Sequence, residues 1–465
     1  MSFDLPKGWT SQSIENAMEA IIDYRGKTPK KSDSGIPLIT AKIVKSGRLE
    51  TPTEFIPEED YDAWMVRGLP QAGDVVLTTE APLGEVAQLD DANVALAQRI
   101  VTLRGKPDLL VNDYLKYLLQ SHAVQQQLDA RGSGSTVKGI KQSELRKVVL
   151  SLPPIAQQRS IAGTLKSLDD KITLNTQTNQ TLEQMAQALF KSWFVDFDPV
   201  IDNALDSGFF EREFAGEDIL KPLAQRVATR QALREATAAD TDASAIGRLP
   251  PETRALFPDS FEKHPELGWI PKGWDVGTVL DLFELHRGFD LPKSKRVDGE
   301  YPVYAAGGFH GTHNEFKMEP PGIITGRSGV IGNVYLSLEK YWPLNTALYI
   351  RDYRLSGPYY AYHLLRSIDL KVFNSGSAVP SLNRNYVHSL AALCPPEALL
   401  QLFESAATPI FAKIAANNKQ SETLASHRDT LLPKLLSGEL NLAEIHEKTD
   451  DEVTLTFVEV RDGQA

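Results

Sequence analysis

The pentapeptide LPKGW at residues 5–9 returns as IPKGW at residues 270–274, 265 positions further along the chain. Each copy opens a segment that later contains a Gly/Ser loop, which reads GSGSTV at 132–137 and GSAV at 376–379. Self-similarity at a fixed offset is typical of a fold that is used more than once. The sequence therefore predicts two globules of the same kind within one chain.

A long helical pattern follows each repeat, after the Pro-Pro steps at 152–154 and 394–396. Apolar residues there alternate at spacings of four and three, which is typical of the contact face of a coiled coil. Adding 242 to each position of the first series gives the second, and both are polar at the centre. The first series is Ile161, Leu165, Leu168, Ile172, Asn175, Asn179, Leu182, Ala186, Leu189 and Trp193, and the second is Phe403, Ala407, Ile410, Ile414, Asn417, Ser421, Leu424, Arg428, Leu431 and Leu435.

Two matching helices in one chain favour an intramolecular antiparallel pair, although the pattern alone leaves a coiled-coil dimer between two chains open. The antiparallel arrangement places Asn179 opposite Asn417. It also places Asn175 opposite Ser421. A buried layer of this kind fixes the register, because a slip leaves an amide unpaired against apolar side chains. Arg428 departs from the apolar pattern, and we expect it to weaken the outer end of the second helix.

The rest of each repeat mixes short β-rich runs with turns and one clear helix, over 113–130 in the first repeat and 359–373 in the second. We therefore predict an α+β fold: two similar globules separated by two long antiparallel helices that form an intramolecular coiled coil, with a pseudo-twofold repeat. The predicted parts are a first globule (1–154), a first long helix (155–195), an acidic connector (196–265), a second globule (266–396), a second long helix (397–438) and an acidic C-terminal tail (439–465).

The charge of the chain is unevenly distributed. The net charge is -12, but 196–265 contains 14 acidic and 8 basic residues, and 439–465 contains 8 acidic and 2 basic residues. These two segments account for the whole excess of acid. Basic clusters stand out elsewhere, at 24–50, 131–147 and 287–296. Lysine and arginine clusters are the residues that neutralise phosphates in nucleic-acid complexes, although solvated surface loops have the same composition.

Several classes of protein and site are not expected. No apolar run approaches the roughly 20 residues of a membrane span, and residues 1–9 lack an export signal, so we expect a cytoplasmic protein. Cys394 is the only cysteine, which excludes an internal disulfide. His310, His313 and Glu315 lie in a Gly-rich turn without further spaced ligands, so we predict no metal site. We also find no catalytic constellation, and the Asn/Asp-Pro-Pro-aromatic motif of amino-methyltransferases is missing.

Further motifs point to a family. The Pro-Pro step leads into QQRSIA at 157–162, and the first long helix ends in LFKSWF at 189–194. LFPDSF at 256–261 and LGWIP at 267–271 precede the second repeat. Together with the repeated motifs, these segments resemble the specificity (S) subunit of type I restriction-modification enzymes, over nearly the whole span 5–440.

The resemblance implies that each globule is a target recognition domain, which reads one half of a bipartite, asymmetric site in double-stranded DNA. It also implies that the helices act as a spacer and as the docking surface for two modification (methyltransferase) subunits, so that the chain directs both adenine methylation and restriction. The chain itself would be non-catalytic and carry no cofactor. S-adenosylmethionine would be bound by the methyltransferase subunits, and ATP and Mg²⁺ by restriction (motor) subunits. No membrane partner is implied.

Polar and basic side chains of the two globules are the candidates for phosphate and base contacts. The alternative is a coiled-coil scaffold for protein interactions that has no DNA specificity. The candidate DNA-binding residues are Arg25, Lys27, Lys30, Lys31, Lys42, Ser133, Ser135, Thr136, Lys138 and Lys141 in the first globule, and Arg287, Lys293, Lys295, Arg296, Arg327, Ser377 and Arg384 in the second.

Overall fold

The computed structural model describes residues 5–26, 28–134, 137–213, 221–238, 249–376 and 378–441. The chain divides into two compact units, one formed by Met1–Leu174 with Gln420–Ala465 and the other by Asn175–Lys419. Each unit combines helices with mainly antiparallel sheets, so the predicted α+β class is confirmed. Within the described ranges, no helix is both long enough and apolar enough to cross a bilayer.

The main sheet of the first unit is antiparallel and is covered on both faces. Its strand Val75–Thr79 is buried at every position, because alternate side chains of a strand point to opposite faces and each face has its own core. Val75 and Leu77 belong to one hydrophobic cluster, whereas Val76 belongs to another. The strands lie in the order Met18–Asp23, Ile100–Gly105, Val75–Thr79 and Leu83–Gln88.

Smaller sheets and short helices complete the first unit. The helix predicted over 113–130 is present as two helices that meet at Ser121, whose hydroxyl accepts a hydrogen bond from the backbone N–H of Val124 and so caps the second one. The strand Ile36–Ile39 pairs antiparallel with Phe55–Ile56 and parallel with Ala95–Leu96. The other elements are the strands Thr10–Ser13, Val44–Lys45, Arg48–Leu49 and Val149–Leu152, the helices Ile14–Ala17, Tyr61–Trp64, Asn112–Gln120, His122–Arg131 and Gln142–Leu145, and the 3-10 helix Glu58–Asp60.

The second unit repeats this strand arrangement. Its main antiparallel sheet has the order Phe283–Arg287, Ala347–Tyr353, Gly322–Gly326 and Val334–Ser337. The strand Tyr301–Ala305 pairs antiparallel with one neighbour and parallel with the other, as Ile36–Ile39 does. The sequence repeat is therefore also a structural repeat. The other elements are the strands Phe261–His264, Gly268–Pro271, Asp275–Thr278, Gly308–His313, Trp342–Pro343 and Ala391–Cys394, the helices Val279–Leu282, Pro358–Ser367 and Arg384–His388, and the 3-10 helices Lys293–Lys295 and Leu370–Phe373.

The segment 196–265, which we expected to be a connector, takes part in the core of the second unit. Phe209, Phe210 and Phe257 are buried in the same hydrophobic cluster as Trp193 of the first long helix. Burial of a phenylalanine side chain is worth roughly 1.5–3 kcal/mol, so these contacts hold the segment against the unit. Its helices are Asp198–Asp206, Phe209–Glu213, Lys221–Ala238 and Pro251–Arg254.

The domain boundary that we placed at residue 266 falls inside a hairpin and has to be corrected. The strand Phe261–His264 pairs antiparallel with Gly268–Pro271, so the second globule starts before residue 266.

The acidic residues upstream are also engaged within the unit, since Asp206 forms an ion pair with Arg254 at 3.2 Å. Most of the acidic tail, residues 442–465, lies outside the described residues.

The two long helices, Ile155–Phe194 and Glu397–Ser437, each contribute one part to each unit. In the first unit, Asp169 contacts Arg428, and Leu165 shares a hydrophobic cluster with Leu435. In the second unit, the rings of Phe190 and Phe403 are 6.0 Å apart, and the Nδ2 of Asn417 donates to Oδ1 of Asn179. Residue numbers rise on one helix as they fall on the other within both units. The predicted antiparallel pairing inside one chain is therefore confirmed.

Arg428 has a partner that the apolar pattern did not reveal, so our expectation that it weakens the second helix was wrong. Its Nη1 donates a hydrogen bond to Oδ1 of Asp169 at 2.8 Å. The other carboxylate oxygen accepts from Lys116 Nζ at 3.2 Å and from the Tyr117 hydroxyl at 2.8 Å. Burial alone would raise the pKa of Asp169, but these three donors together hold it below its ordinary value. The cluster thus fastens the first globule to both helices.

We expect Arg428→Met to lower the free energy of unfolding by about 2 kcal/mol, because hydrogen bonds to charged groups are worth roughly 1.5–3 kcal/mol. The measurement is urea unfolding of the full chain followed by far-UV circular dichroism. The control is Lys171→Met, on an exposed side chain of the first long helix, which should stay within about 0.5 kcal/mol of the wild type. Equal losses in the two variants would contradict a specific contact with Asp169.

Candidate nucleic-acid interface

In the first globule, the Gly/Ser loop closes onto one end of the main sheet. The Nη2 of Arg25, which follows the strand Met18–Asp23, donates a hydrogen bond to the carbonyl of Ile140 at 2.6 Å. The N–H of Ile140 in turn donates to the carbonyl of Thr79, the last residue of its strand, at 3.0 Å. Gly134 has a φ of +116°, and a Cβ there would collide with the carbonyl of Val137, so the loop requires glycine at this position.

The candidate cations of the first globule are largely paired with carboxylates. Lys31 and Lys42 share Glu54, at 2.7 and 3.4 Å, and the hydrogen bond from Lys31 holds the pKa of Glu54 below its ordinary value. Arg25 forms an ion pair with Asp23 at 3.4 Å. Lys138 pairs with Asp129. The remaining candidates divide into Lys30, Ser133 and Lys141, whose side chains are exposed, and Lys27, Ser135 and Thr136, which lie outside the described residues.

The second globule closes its own Gly/Ser loop onto the matching end of its sheet. Arg287 ends the strand Phe283–Arg287. The N–H of Leu382 donates to the carbonyl of Arg327 at 2.8 Å, and the N–H of Gly329 donates to the carbonyl of Pro380 at 2.9 Å. These contacts correspond to those of the first globule, in which the N–H of Ile140 donates to the strand that ends at Thr79.

The other candidates of the second globule lie around this end or on loops next to it. The Nη1 of Arg384 donates to the carbonyl of Leu285 at 3.2 Å, and the Nε of Arg327 donates to the carbonyl of Asn345 at 2.8 Å. Lys293 and Lys295 are exposed in a short 3-10 helix. Ser377 lies outside the described residues.

A cavity of 630 Å³ opens beside the sheet end of the second globule. Its wall combines the guanidinium of Arg296 with neutral polar groups such as Ser328 and Asn345 and with the apolar side chain of Phe309. Phe309 is 64% exposed. Such a mixture offers donors for phosphates and base edges together with an apolar surface for a thymine methyl group. Our sequence reasoning missed Phe309, Ser328 and Asn345. Phe309 lies in the short strand Gly308–His313 and the other two lie between named strands, and no periodic pattern marks any of them.

The register residues of the helix pair form a layer of amides in the second unit. The Nδ2 of Asn417 donates to Oδ1 of Asn179 at 2.8 Å. The Nδ2 of Asn175 donates to the backbone carbonyl of Asn417 at 3.3 Å. Asn418, which the spacing did not single out, accepts from Nδ2 of Asn179 at 2.8 Å. Ser421 belongs to the first unit.

The histidines considered for metal binding have other contacts. The ring of His313 packs against Trp342, with the ring centroids 5.2 Å apart. Its Nδ1 lies 3.2 Å from the backbone nitrogen of Val297, which donates to it. In the part of the chain that the structure describes, His, Cys, Asp and Glu side chains form no group of three or more placed to hold a metal ion.

Comparison with known proteins places these features in a family. Residues 6–184 and 271–396 match the family model of the type I restriction modification DNA specificity domain. The two matched segments cover more than half of the chain. Each of them contains one copy of the repeated strand arrangement.

Individual relatives span most of the chain. The MjaIX specificity subunit of a type I restriction enzyme from Methanocaldococcus jannaschii is 26% identical over 470 residues, which cover 95% of both chains. The HindI specificity subunit from Haemophilus influenzae is 26% identical over 401 residues, 75% of this chain and 82% of that one. The crystal structure of an S subunit from M. genitalium aligns with 94% of this chain and 97% of that chain, at 15% identity and a TM-score of 0.49.

We expect Asn417→Ala to lower the free energy of unfolding by roughly 1–3 kcal/mol, because it removes a buried amide and the donor to Asn179. The measurement is urea unfolding of the full chain. Lys413→Ala is the control on the same helix, where the side chain is exposed and the change should stay within about 0.5 kcal/mol. A loss that is no larger for Asn417→Ala than for Lys413→Ala would count against the amide layer.

Proposed function

The chain belongs to the family of type I restriction-modification DNA specificity domains, and from this premise we propose that it selects the DNA site of a type I complex. Each globule reads one half of a bipartite, asymmetric site in double-stranded DNA. The observation that carries this proposal is the repeated sheet end. In both globules an arginine stands at the end of the first strand, Arg25 or Arg287, and the segment after the Gly/Ser loop is hydrogen-bonded to the end of the third strand. Two copies of one reading surface suit a site with two separate halves.

We assign two further roles to the pair of long helices. They set the spacing of the two half-sites, and they are the docking surface for two methyltransferase subunits. The amide layer supports the first role, because it fixes the register of the two helices and therefore the length over which they overlap. The methyltransferase subunits bring S-adenosylmethionine, and restriction subunits bring ATP and Mg²⁺. This chain contributes binding and selection, without a reacting group of its own.

Mapping of N6-methyladenine tests the proposal. DNA is incubated with S-adenosylmethionine and with methyltransferase subunits, in the presence or absence of this chain, and then sequenced for the modified base. We expect methylation at a single two-part sequence only when the chain is present, because site selection resides in it. A gel shift with the mapped duplex and with a scrambled duplex provides the binding control.

Methylation that is the same with and without the chain would contradict the proposal. That result, together with equal shifts of the mapped and the scrambled duplex, would support a protein-interaction scaffold without DNA specificity.

A further inference from the structure

Two arginines flank one strand at the same end of the second globule's main sheet. Arg287 lies opposite Leu348 on one side of the strand Ala347–Tyr353, and Thr325 lies opposite Leu348 on the other side. Arg327 follows two residues after Thr325. Strands in a sheet are about 4.8 Å apart, so the two outer strands are separated by about 10 Å. Extended arginine side chains from both sides can reach one small group between them.

Within the described ranges, Arg287 and Arg327 form no ion pair with a carboxylate, and the same is true of Lys293, Lys295, Arg296 and Arg384. Burial, and then the charge of Arg287, lower the pKa of Arg327. Asp290, the acid in the adjacent cavity wall, accepts a hydrogen bond from the side chain of Asn345. The end of the sheet thus holds neighbouring positive charges that repel each other.

The opposite end of the same sheet shows how this globule neutralises arginines elsewhere. Arg351 and Arg354 share the carboxylate of Glu284, at 3.0 and 3.1 Å. Glu284 lies opposite Asp352, at the far end of the strand from Leu348. The unpaired arginines are therefore a local property of one end of the sheet and do not reflect a shortage of acids in the globule.

The first globule differs in the pairing of its candidate cations. Of its six described candidate cations, four form ion pairs: Arg25, Lys31, Lys42 and Lys138. None of the six described candidate cations in the second globule does so. A lysine that is paired with a carboxylate adds little net positive charge to its surroundings. It therefore attracts a DNA phosphate less strongly than an unpaired lysine does, and its binding releases fewer of the counterions that are condensed on the DNA.

We infer that the second globule binds a DNA phosphate between Arg287 and Arg327, with further phosphate contacts from Lys293 and Lys295, and that it supplies the larger electrostatic share of DNA affinity. This inference rests on the proposed function and refines it, because it assigns unequal roles to two globules of the same fold. The first globule then depends more on direct contacts with base edges.

The salt dependence of DNA binding tests the inference. Affinity of the complete complex for the mapped duplex is measured between 50 and 300 mM KCl for the wild type and for Arg287→Gln. Each lost phosphate contact reduces the slope of log K against log salt by about 0.9, and we expect that reduction for Arg287→Gln. Arg287→Lys retains the charge and should retain most of the slope. If Arg287→Gln does not fold, Lys295→Gln, on an exposed side chain, should give a reduction of similar size.

Two further variants each remove one positive charge elsewhere. Arg351→Gln, at the other end of the same sheet, is the control and should leave the slope unchanged. Lys42→Gln, in the first globule, compares the two globules and should reduce the slope by less than Arg287→Gln does, because Glu54 already offsets the charge of Lys42. An unchanged slope in Arg287→Gln, or a reduction by Lys42→Gln of equal size, overturns the inference while the proposed function stands. A wild-type complex that does not prefer the mapped duplex at any salt concentration overturns the proposed function itself.

Discussion

A buried amide between two helices is satisfied in one alignment only, and the pair of long helices in this protein is subject to that constraint. The amide of Asn417 donates to Asn179 and its backbone carbonyl accepts from Asn175. A slip by one helical turn, about 5.4 Å, would break these contacts and place amides against leucine and isoleucine. The aromatic contact of Phe190 with Phe403 depends on the same alignment.

Much of the architecture could be predicted because it depends on periodicity, which a sequence displays directly. The offset of 265 revealed the repeat, and spacings of four and three revealed both long helices within a residue or two of their observed ends. The position of Asn179 against Asn417 followed from the same spacing. Each of these features depends either on the residues of a single element or on two elements that share one sequence pattern.

The features that were not predicted depend on contacts between elements with unrelated patterns. The partner of Arg428 is Asp169, 259 residues away, and no spacing rule connects them. The phenylalanines of the segment 196–265 lack helical periodicity, so their burial in the second unit's core was not visible. Basic clusters were visible as composition, but composition does not show that Glu54 neutralises two of the lysines. The folded structure decides which of these cations are paired with a carboxylate and which are not.

The packing of 196–265 into the second unit also determines where natural recombination or protein engineering could exchange one specificity for another. A crossover at residue 266 would separate the strand Phe261–His264 from its partner and give Phe209 and Phe210 a foreign surface to pack against. A crossover within the first long helix, before Asp198, would transfer the second globule together with the aromatic side chains that complete its interior. The segment that has to be exchanged as one piece is therefore larger than the repeated globule itself.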